Sequence, residues 1–451
     1  MDDWLRIAGD PAAAPDERLA ALRALKEGSA AQDAGAIGQA AAPTGEVNNH
    51  VHTIYSFSPY TPSMAAWKAR QAGLSAAGSV DHDSVGAARE MLEACAILGI
   101  GSTVGFELRV SCKASPFAGR KLNNPDSPGI AYMTIQGVPR NSIGEAAAFL
   151  EPISRARGER NRRMASSISG ILVEAGLDPI NYDQDVIPLS KASEGGSVTE
   201  RHLLAAAAGS IMRRWSPGPA LVDSLANRLH IELSAKQAAV LVAPENPHRL
   251  YDLLGLLKAG FLGRVFIQPG AEECVPVEVA TAFARRIGAI PAYAYLGDVG
   301  ESPTGDKKAE RFEDAFLDDL LPWLVDSGFQ AITYMPPRNT KAQLARIRAL
   351  ALRYDLMEIS GVDINSSRQS FSCPEVLEPE NRHLVDATWA LIAHEKLSGL
   401  GLQYGLFSSD NPRAGLSLVD RVHDYARIGK AIDTRHPEDA ATLERLARQE
   451  K

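Results

Sequence analysis

Two histidines two residues apart, His50 and His52, are the first feature of this sequence that could do chemistry. In a β-strand, residues i and i+2 project from the same face of the sheet. Both imidazoles can therefore point at one divalent metal ion. A His-x-His pair alone is a weak signal, but metal-type residues recur after later apolar runs. They are Asp81, His82, Glu107 and Asp363.

The composition is that of an ordinary globular protein. The chain has 451 residues, an apolar fraction of 45% and a formal net charge of -8, which allows a sizeable core to be buried. Nucleic acid is not favoured as a partner, because nucleic-acid-binding proteins usually carry a basic face. We expect a small-molecule substrate, and a homo-oligomer stays open.

Targeting signals are not visible in the sequence. The start, Met-Asp-Asp-Trp, lacks the basic and then apolar stretch of a signal peptide. No apolar run reaches the roughly 18 to 20 residues that span a bilayer. The cysteines are scattered, with no C-x-x-C spacing, so neither a disulfide framework nor a zinc knuckle is indicated. We therefore expect a cytoplasmic, reduced protein with no membrane partner.

Short apolar runs alternate with amphipathic segments from residue 46 onward. This alternation predicts βα units and a mainly parallel sheet. The metal-type residues lie at or near the C-terminal ends of the runs, which is where α/β barrels carry their chemistry. The predicted strands are Val47–Val51, Ala76–Val80, Thr103–Val110, Ile130–Val138, Val265–Gln268, Ile290–Leu296, Ala331–Met335, Leu356–Ile364 and Gln403–Phe407.

Residues 1–45 are predicted to form an N-terminal helical extension packed on the main domain. Leu19, Leu22 and Leu25 recur at helical spacing there. A small-residue linker from Gly28 to Pro43 follows.

The rest of the chain divides into a barrel, an insertion and a tail. Residues 46–138 and 264–420 are predicted to form the α/β barrel. Residues 139–263 interrupt the strand rhythm with long helical patterns, which predicts a mainly helical insertion that forms a lid or a pocket wall. Residues 421–451 are predicted to be a C-terminal helical tail.

Four short motifs follow one another along the chain: His50-x-His52-Thr-x-Tyr-Ser, Ser79-Val80-Asp81-His82-Asp83, Gly105-Phe106-Glu107 and Gly361-Val362-Asp363-Ile364-Asn365. In this order they resemble the motifs of the PHP (polymerase and histidinol phosphatase) domain family. The resemblance covers most of residues 46–370 and is least in the insertion. It implies an α/β fold, a distorted TIM-like (β/α)7 barrel with a helical insertion, which holds up to three metal ions in its mouth and hydrolyses phosphoric esters.

The resemblance also implies roles for individual residues. His82 would bind the third metal, and Asp81 would orient His82. His202 lies in a run similar to one in the insertion of some relatives, and a helix-start position beside the capping box Ser197–Glu200 explains it equally well. We expect these three residues, His82, Asp81 and His202, to serve catalysis. The ligands of the first metal would be His50, His52, Glu107 and Asp363, with Glu107 bridging to the second.

Several positions depart from the family pattern. Phe57 stands where a carboxylate is usual, and Tyr295 and Asn365 stand where histidines are usual. Another family histidine is missing near Ile130–Met133. Because all four ligands of the first metal remain, we expect at least one divalent ion per chain, Zn, Mn or Fe.

The predicted function is hydrolysis of a small phosphorylated substrate by a metal-dependent phosphoesterase or phosphatase. A bound ion lowers the pKa of water from about 15.7 to about 7, and this metal-bound hydroxide would attack the phosphate. Two alternatives stay open: a barrel that binds a ligand or metal without hydrolysis, and a mononuclear lyase or isomerase. The predicted substrate-binding residues are Arg109, Arg201, Tyr295, Arg338, Asn365 and Arg368.

Simpler explanations exist for several of these residues. Glu107 and Arg109 could form a surface ion pair, because residues two apart share a face of a strand. Asp81 could cap the helix that follows, and Tyr295 could be a packed barrel aromatic. The basic run Arg160–Arg163 is most simply a solvated helix face.

Overall fold

In the computed structural model, a barrel of seven strands is surrounded by helices. The structure describes residues 2–31, 43–300 and 310–448, so most of the predicted linker Gly28–Pro43 lies outside the described residues. The strands are β1 Val47–Val51, β2 Ala76–His82, β3 Gly101–Ser111, β4 Ile130–Gln136, β5 Val275–Pro276, β6 Ile290–Ala294, β7 Ala331–Tyr334 and β8 Met357–Ser360. The α-helices are α1 Asp2–Gly9, α2 Pro15–Ala31, α3 Pro62–Gln71, α4 Ala88–Leu98, α5 Ile143–Glu174, α6 Glu200–Arg214, α7 Pro219–Asn227, α8 Ala235–Val242, α9 Arg249–Gly260, α10 Val277–Arg286, α11 Leu317–Asp326, α12 Lys341–Arg353, α13 His383–Leu400, α14 Leu418–Ala431 and α15 Ala440–Arg448.

The barrel follows the strand order β1-β2-β3-β4-β6-β7-β8, and the short β5 pairs with β3. It is closed by backbone hydrogen bonds between β1 and the chain after β8. The amide of His52 donates to the Ile364 carbonyl at 2.9 Å, and the amide of Ile364 donates to the His50 carbonyl at 3.1 Å. The predicted α/β class and distorted TIM-like barrel are confirmed.

Strand β4 distorts the barrel because it runs antiparallel to both β3 and β6. The connection between β3 and β4, residues 112–129, contains no α-helix. A parallel neighbour would need a crossover, whereas an antiparallel neighbour can be reached through a loop. This reversal was not predicted, because Ile130–Gln136 is apolar like the other strands of the barrel.

Seven of the nine predicted strands are strands in the structure, and two predictions are wrong. Val265–Gln268 is a turn and loop, whose Val265 packs into the core of the insertion. Gln403–Phe407 overlaps a 3-10 turn, and its Leu406 packs among α13 and α14. A short apolar run records burial but does not distinguish a strand from another buried segment.

The helices around the barrel begin and end at local signals. Thr61 caps α3 by accepting a hydrogen bond from the Met64 amide at 3.1 Å, and Pro62 occupies the first turn. Helix α4 ends at Gly99, whose φ of 71° is left-handed. Among the described residues, no helix is both long and apolar enough to cross a membrane.

Helices α5 to α9 lie between β4 and β5 and have an apolar core of their own. Leu203, Leu225 and Leu257, from α6, α7 and α9, are buried in that core. Phe57, from the loop after β1, packs into the same core and connects it to the barrel mouth. Helices α5 to α9, which we call the helical segment, are therefore stabilised by a hydrophobic core of their own, and Phe57 holds them next to the strand ends.

A buried network of ion pairs, which we call the arginine network, joins these helices to the barrel. Three arginines face three acids: Arg109 on β3 and Arg157 and Arg160 on α5 pair with Asp83, Glu200 and Glu273. The closest N–O distances are 2.6 Å for Arg109–Glu273 and Arg157–Asp83, and 2.5 Å for Arg160–Glu200. The network is internally neutral, as buried charges require.

The prediction of a solvated face for Arg160–Arg163 is wrong for Arg160. Its side chain is 2% exposed, whereas that of Arg162 is 53% exposed. Ile153, Arg157 and Arg160 are all buried on α5, and their spacing of three or four residues places them on one helix face. The position of Arg160 on the same helix face as apolar residues was the sequence feature that indicated its burial. It was overlooked because the neighbouring residues are also basic.

We expect Arg160→Ala to destabilise the protein far more than Arg162→Ala. Removing Arg160 leaves buried Glu200 and Glu273 with fewer partners, and breaking a buried pair from one side costs about 3–5 kcal/mol. Arg162 pairs with Asp183 on the surface, where loss of an ion pair has little effect. Urea unfolding of both variants measures the difference. Equal unfolding midpoints would contradict a stabilising role for the network.

Candidate metal centre

The two histidines of the first motif converge at the end of β1. His50 is in β1 and His52 lies one residue beyond it, with both side chains largely buried. Their Nε2 atoms are 3.2 Å apart. Ligands of a single ion with bonds near 2.1 Å are about 3–4 Å apart. The pair therefore has the separation expected of two ligands of one ion.

Two carboxylates reach the same point from other strands. Glu107 on β3 places its Oε2 atom 3.8 Å from Nε2 of both His50 and His52. Asp363, after β8, places its Oδ1 atom 3.3 Å from Nε2 of His52. The ligand atoms of His50, His52 and Glu107 all lie within 4.8 Å of one another. His50, His52 and Glu107 thus form one cluster, and Asp363 lies beside His52.

The approach of β8 to β1 depends on a glycine. A Cβ atom on Gly361 would lie 2.5 Å from the Cβ of His50, closer than two carbon atoms can approach. Gly361 therefore lets the chain that carries Asp363 run against the segment that carries the histidines.

His82 joins the cluster from β2, where it is in register with Glu107. Its Nδ1 atom lies 3.1 Å from Oε2 of Glu107, but the two are not aligned for a hydrogen bond. A buried nitrogen that faces a carboxylate without bonding to it is the arrangement expected of two ligands directed at one cation. The ring of His82 also lies beside that of Tyr132, with centroids 5.7 Å apart.

The electrostatics of the cluster favour a bound cation. Burial opposes ionisation of Glu107, but the neighbouring histidines outweigh it and lower its pKa to about 2. Burial likewise opposes ionisation of Asp363, but His52 and His50 hold its pKa well below the usual range. Burial lowers the pKa of His82 to about 3, which leaves an imidazole lone pair free. Burial opposes protonation of His52, but the neighbouring Asp363 outweighs it and raises the pKa of that imidazole. The carboxylates and imidazole nitrogens form a donor set that suits a divalent ion such as Zn, Mn or Fe.

Asp81 supports His52 rather than His82, contrary to the sequence prediction. Its carboxylate accepts hydrogen bonds from the Thr53 amide at 2.7 Å, from the Thr53 hydroxyl at 2.6 Å and from the Ser56 hydroxyl at 2.6 Å. Asp81 and His82 are adjacent in β2, and adjacent strand residues point to opposite faces. The motif showed that the two residues are neighbours but not that they face apart.

Ser56 connects Asp81 to the metal ligands, a role that the sequence analysis missed. The Ser56 Oγ atom lies 3.2 Å from Nδ1 of His52. Because the Ser56 hydroxyl donates its proton to Asp81, Nδ1 of His52 must be the donor to Ser56. That tautomer leaves the lone pair on Nε2, the atom that faces His50, Glu107 and Asp363. The motif contained Ser56, but only the fold shows its partners.

The cluster opens into a cavity of about 270 Å³, a size suited to a small molecule. The strand ends form one side, and residues from α6 and α9 form part of the other. Of the predicted substrate-binding residues, Arg338 and Arg368 do not line the cavity. Those that do are Arg109, Arg201, Tyr295 and Asn365.

Most of the predicted substrate-binding residues that line the cavity already form hydrogen bonds with other residues of the protein. Arg109 donates to Glu200 and Glu273 in the arginine network, so it does not form the alternative pair with Glu107. The Tyr295 hydroxyl donates to Asp314 at 2.5 Å. The side-chain amide of Asn365 donates to Oδ1 of Asp363 at 2.6 Å and thereby orients a candidate metal ligand.

Three further predicted residues lie outside the cavity wall. Arg338 donates to the Leu296 carbonyl, and Arg368 pairs with Asp252. Nδ1 of His202 accepts the Thr199 amide at 2.9 Å, which is the helix-start role rather than a contact with the cluster. The structure therefore gives His202 a capping function in α6.

Arg201 is the cavity arginine that remains available. In the described part of the chain, its guanidinium has no carboxylate or carbonyl partner and lies 5.6 Å from the centre of the Phe57 ring. Burial lowers the pKa of Arg201, an effect that Asp363 opposes, and arginine stays charged at neutral pH. Lys258 on α9 also lines the cavity, and no motif in the sequence pointed to it.

Two solved structures are similar to this fold. A proposed metal-dependent phosphoesterase from Bifidobacterium adolescentis aligns over 75% of this chain and 96% of its own, with 18% identity and a TM-score of 0.47. An amidohydrolase from Chromobacterium violaceum, solved with bound sulfate and no metal, aligns over 72% of this chain and 89% of its own, with 18% identity and a TM-score of 0.45. No protein-family model and no curated protein matches the chain. Similarity at this level says nothing about activity, so the function must be inferred from the site.

We expect Ser56→Ala to weaken metal binding by about 10- to 100-fold, because it frees the His52 ring from the hydrogen bond that selects its tautomer. Competition with a chromophoric chelator measures the affinity. Ser58→Ala is the matched control, since Ser58 is also buried but its hydroxyl accepts a hydrogen bond from the Tyr60 amide. If the two variants bind metal equally well, Ser56 does not orient His52.

Proposed function

We propose that this protein is a divalent-metal-dependent hydrolase that acts on a small phosphorylated substrate. The observation that carries the proposal is the cluster of His50, His52 and Glu107, with Asp363 beside His52, at the edge of a cavity. Arg201 lines that cavity and has no ion pair in the described part of the chain. A cation site and a free guanidinium in one small cavity are complementary to an anion with several oxygen atoms. The similarity to the PHP family stays a prediction that agrees with this chemistry.

The residues present fit one divalent ion. His50, His52, Glu107 and Asp363 would hold it, and His82 is close enough to Glu107 to complete the set. When bound, such an ion supplies the Lewis acidity that activates water and polarises a phosphoryl oxygen at neutral pH. Ser56 and Asn365 keep His52 and Asp363 oriented for this role.

The protein's own cations would bind the phosphate. Arg201 can donate two hydrogen bonds from one planar group, and such donors stabilise the charge that develops on phosphoryl oxygens. Its stacking on Phe57 fixes the guanidinium at the cavity wall without using its N–H groups. Lys258 adds a second positive charge on the same side. The helices that carry both residues would also exclude bulk water from the reacting groups.

We expect the purified protein to hydrolyse a generic aryl phosphate when Mn is supplied, and to lose this activity after treatment with a chelator. Added Mn or Zn should restore it, whereas His52→Ala should stay inactive and bind little metal. Metal analysis together with phosphate release provides both readouts. Chelated protein that remains active, or metal-loaded protein that hydrolyses nothing in a broad panel of phosphoric esters, would rule out the proposal.

Arg201→Gln should lower kcat/KM for the aryl phosphate by about 10- to 100-fold, the equivalent of a charge-assisted hydrogen bond. Metal content should not change, because Arg201 is not in the ligand set. Arg214→Gln is the control, since Arg214 is exposed on the same helix and does not line the cavity. An unchanged kcat/KM in Arg201→Gln would show that this arginine does not bind the phosphate.

A further inference from the structure

A second cavity, of about 540 Å³, lies outside the barrel between β8 and helices α12, α13 and α14. We call it the outer groove, and its relevant lining residues are Arg348, Leu352, Glu358, His383, Val419 and Val422. It shares no lining residue with the cavity at the metal centre. Any ligand of the outer groove would therefore bind without contacting the metal ligands.

The walls of the outer groove expose large apolar side chains. Leu352 on α12 is 70% exposed and Val419 on α14 is 61% exposed, the two highest values among the large apolar residues that the structure describes. Val422, one turn further along α14, is partly buried beside them. Apolar side chains on separate helices around one concavity are typical of a site for an apolar group.

The base of the outer groove presents a fixed carboxylate. The Tyr334 hydroxyl donates to Oε2 of Glu358 at 2.7 Å, and Nε2 of His383 lies 3.4 Å from the same oxygen. Tyr334 is itself buried. In the described part of the chain, neither a lysine nor an arginine pairs with Glu358. The carboxylate is therefore held in position but not neutralised by a permanent cation.

An unpaired cation lines the same groove. Arg348 on α12 is partly buried, and within the described ranges it has neither an ion pair nor a hydrogen-bond acceptor. In particular, Arg348 and Glu358 do not bond to each other. Holding two opposite charges apart in a partly desolvated groove is unfavourable unless something bridges them. A ligand that carries both charges would supply each with its partner.

We propose that the outer groove binds a small zwitterion with an apolar side chain, the chemical class of a branched or aromatic α-amino acid. The ligand carboxylate would accept hydrogen bonds from Arg348, and its ammonium would donate to Glu358. Its side chain would contact Leu352 and Val419. A groove of this size accommodates such a molecule. Among the described residues, Arg348 has no ion-pair partner, and Glu358 is paired with no lysine or arginine although Tyr334 and His383 contact it.

The ligand side of the proposal is tested on the unaltered full chain by calorimetric titration with L-leucine and L-phenylalanine. We expect at least one of them to bind. The matching amide, which lacks the carboxylate, and 4-methylpentanoate, which lacks the amine, should each bind at least about tenfold more weakly than leucine. Glycine, which lacks the side chain, should not bind measurably. If neither amino acid binds, or if the analogues bind as tightly, the proposal is wrong.

The protein side is tested with Arg348→Gln and Glu358→Gln, which keep polar side chains of similar size. Each should weaken binding of the amino acid at least about tenfold, with a melting temperature close to that of the unaltered protein. Arg353→Gln is the matched control, because Arg353 is exposed on the same helix and does not line the groove. Binding that is equally strong in Arg348→Gln and Arg353→Gln would overturn the assignment of the carboxylate contact.

Discussion

Closure of the barrel is the constraint on which the candidate site depends. The same short segments that exchange backbone hydrogen bonds between β1 and the chain after β8 carry His50, His52 and Asp363. Side chains from distant parts of the sequence are therefore brought within ligand distance by the bonds that complete the sheet. Gly361 permits this contact because nothing larger fits against His50. The position of the metal ligands is thus a property of the fold rather than of a loop.

Two groups of buried charges lie side by side at the barrel mouth and remain separate. The arginine network neutralises itself through six side chains and fixes α5 and α6 to β3. The carboxylates of the metal cluster, by contrast, form no ion pair with an arginine in the described part of the chain, and their nearest partners are histidines. Arg109 lines the cavity but is held by Glu200 and Glu273, so it does not compete with a cation for Glu107. This division leaves Arg201 as a cavity arginine that has no ion pair in the described part of the chain.

The sequence predicted well what local spacing and motif order encode. The barrel class and most of its strands could be predicted from the alternation of apolar runs and amphipathic segments. The ligand set of the first metal was implied by the resemblance to the PHP motifs, and the structure places His50, His52 and Glu107 of that set in one cluster. The partner of Asp81 could not be predicted from the sequence. It depends on how the loop after β1 folds back to place Ser56 between Asp81 and His52. The direction of β4 also escaped prediction, because an apolar run does not encode the direction of a strand. The burial of Arg160 was missed because its exposed neighbours make the run look uniformly basic. Lys258 belongs to the same class: its place in the cavity wall is set by the packing of α9, not by any neighbouring residue.

The arginine network couples the evolution of the barrel to that of helices α5 to α9. Arg109 and Asp83 belong to the barrel, but their partners come mainly from α5 and α6. A relative that lost those helices would retain charges in its strands with nothing opposite them, and an uncompensated buried charge is among the most destabilising changes a protein can acquire. Such a relative is expected to carry uncharged side chains at both barrel positions. Substitutions at the paired positions of the barrel and of the helices are therefore expected to occur together in evolution.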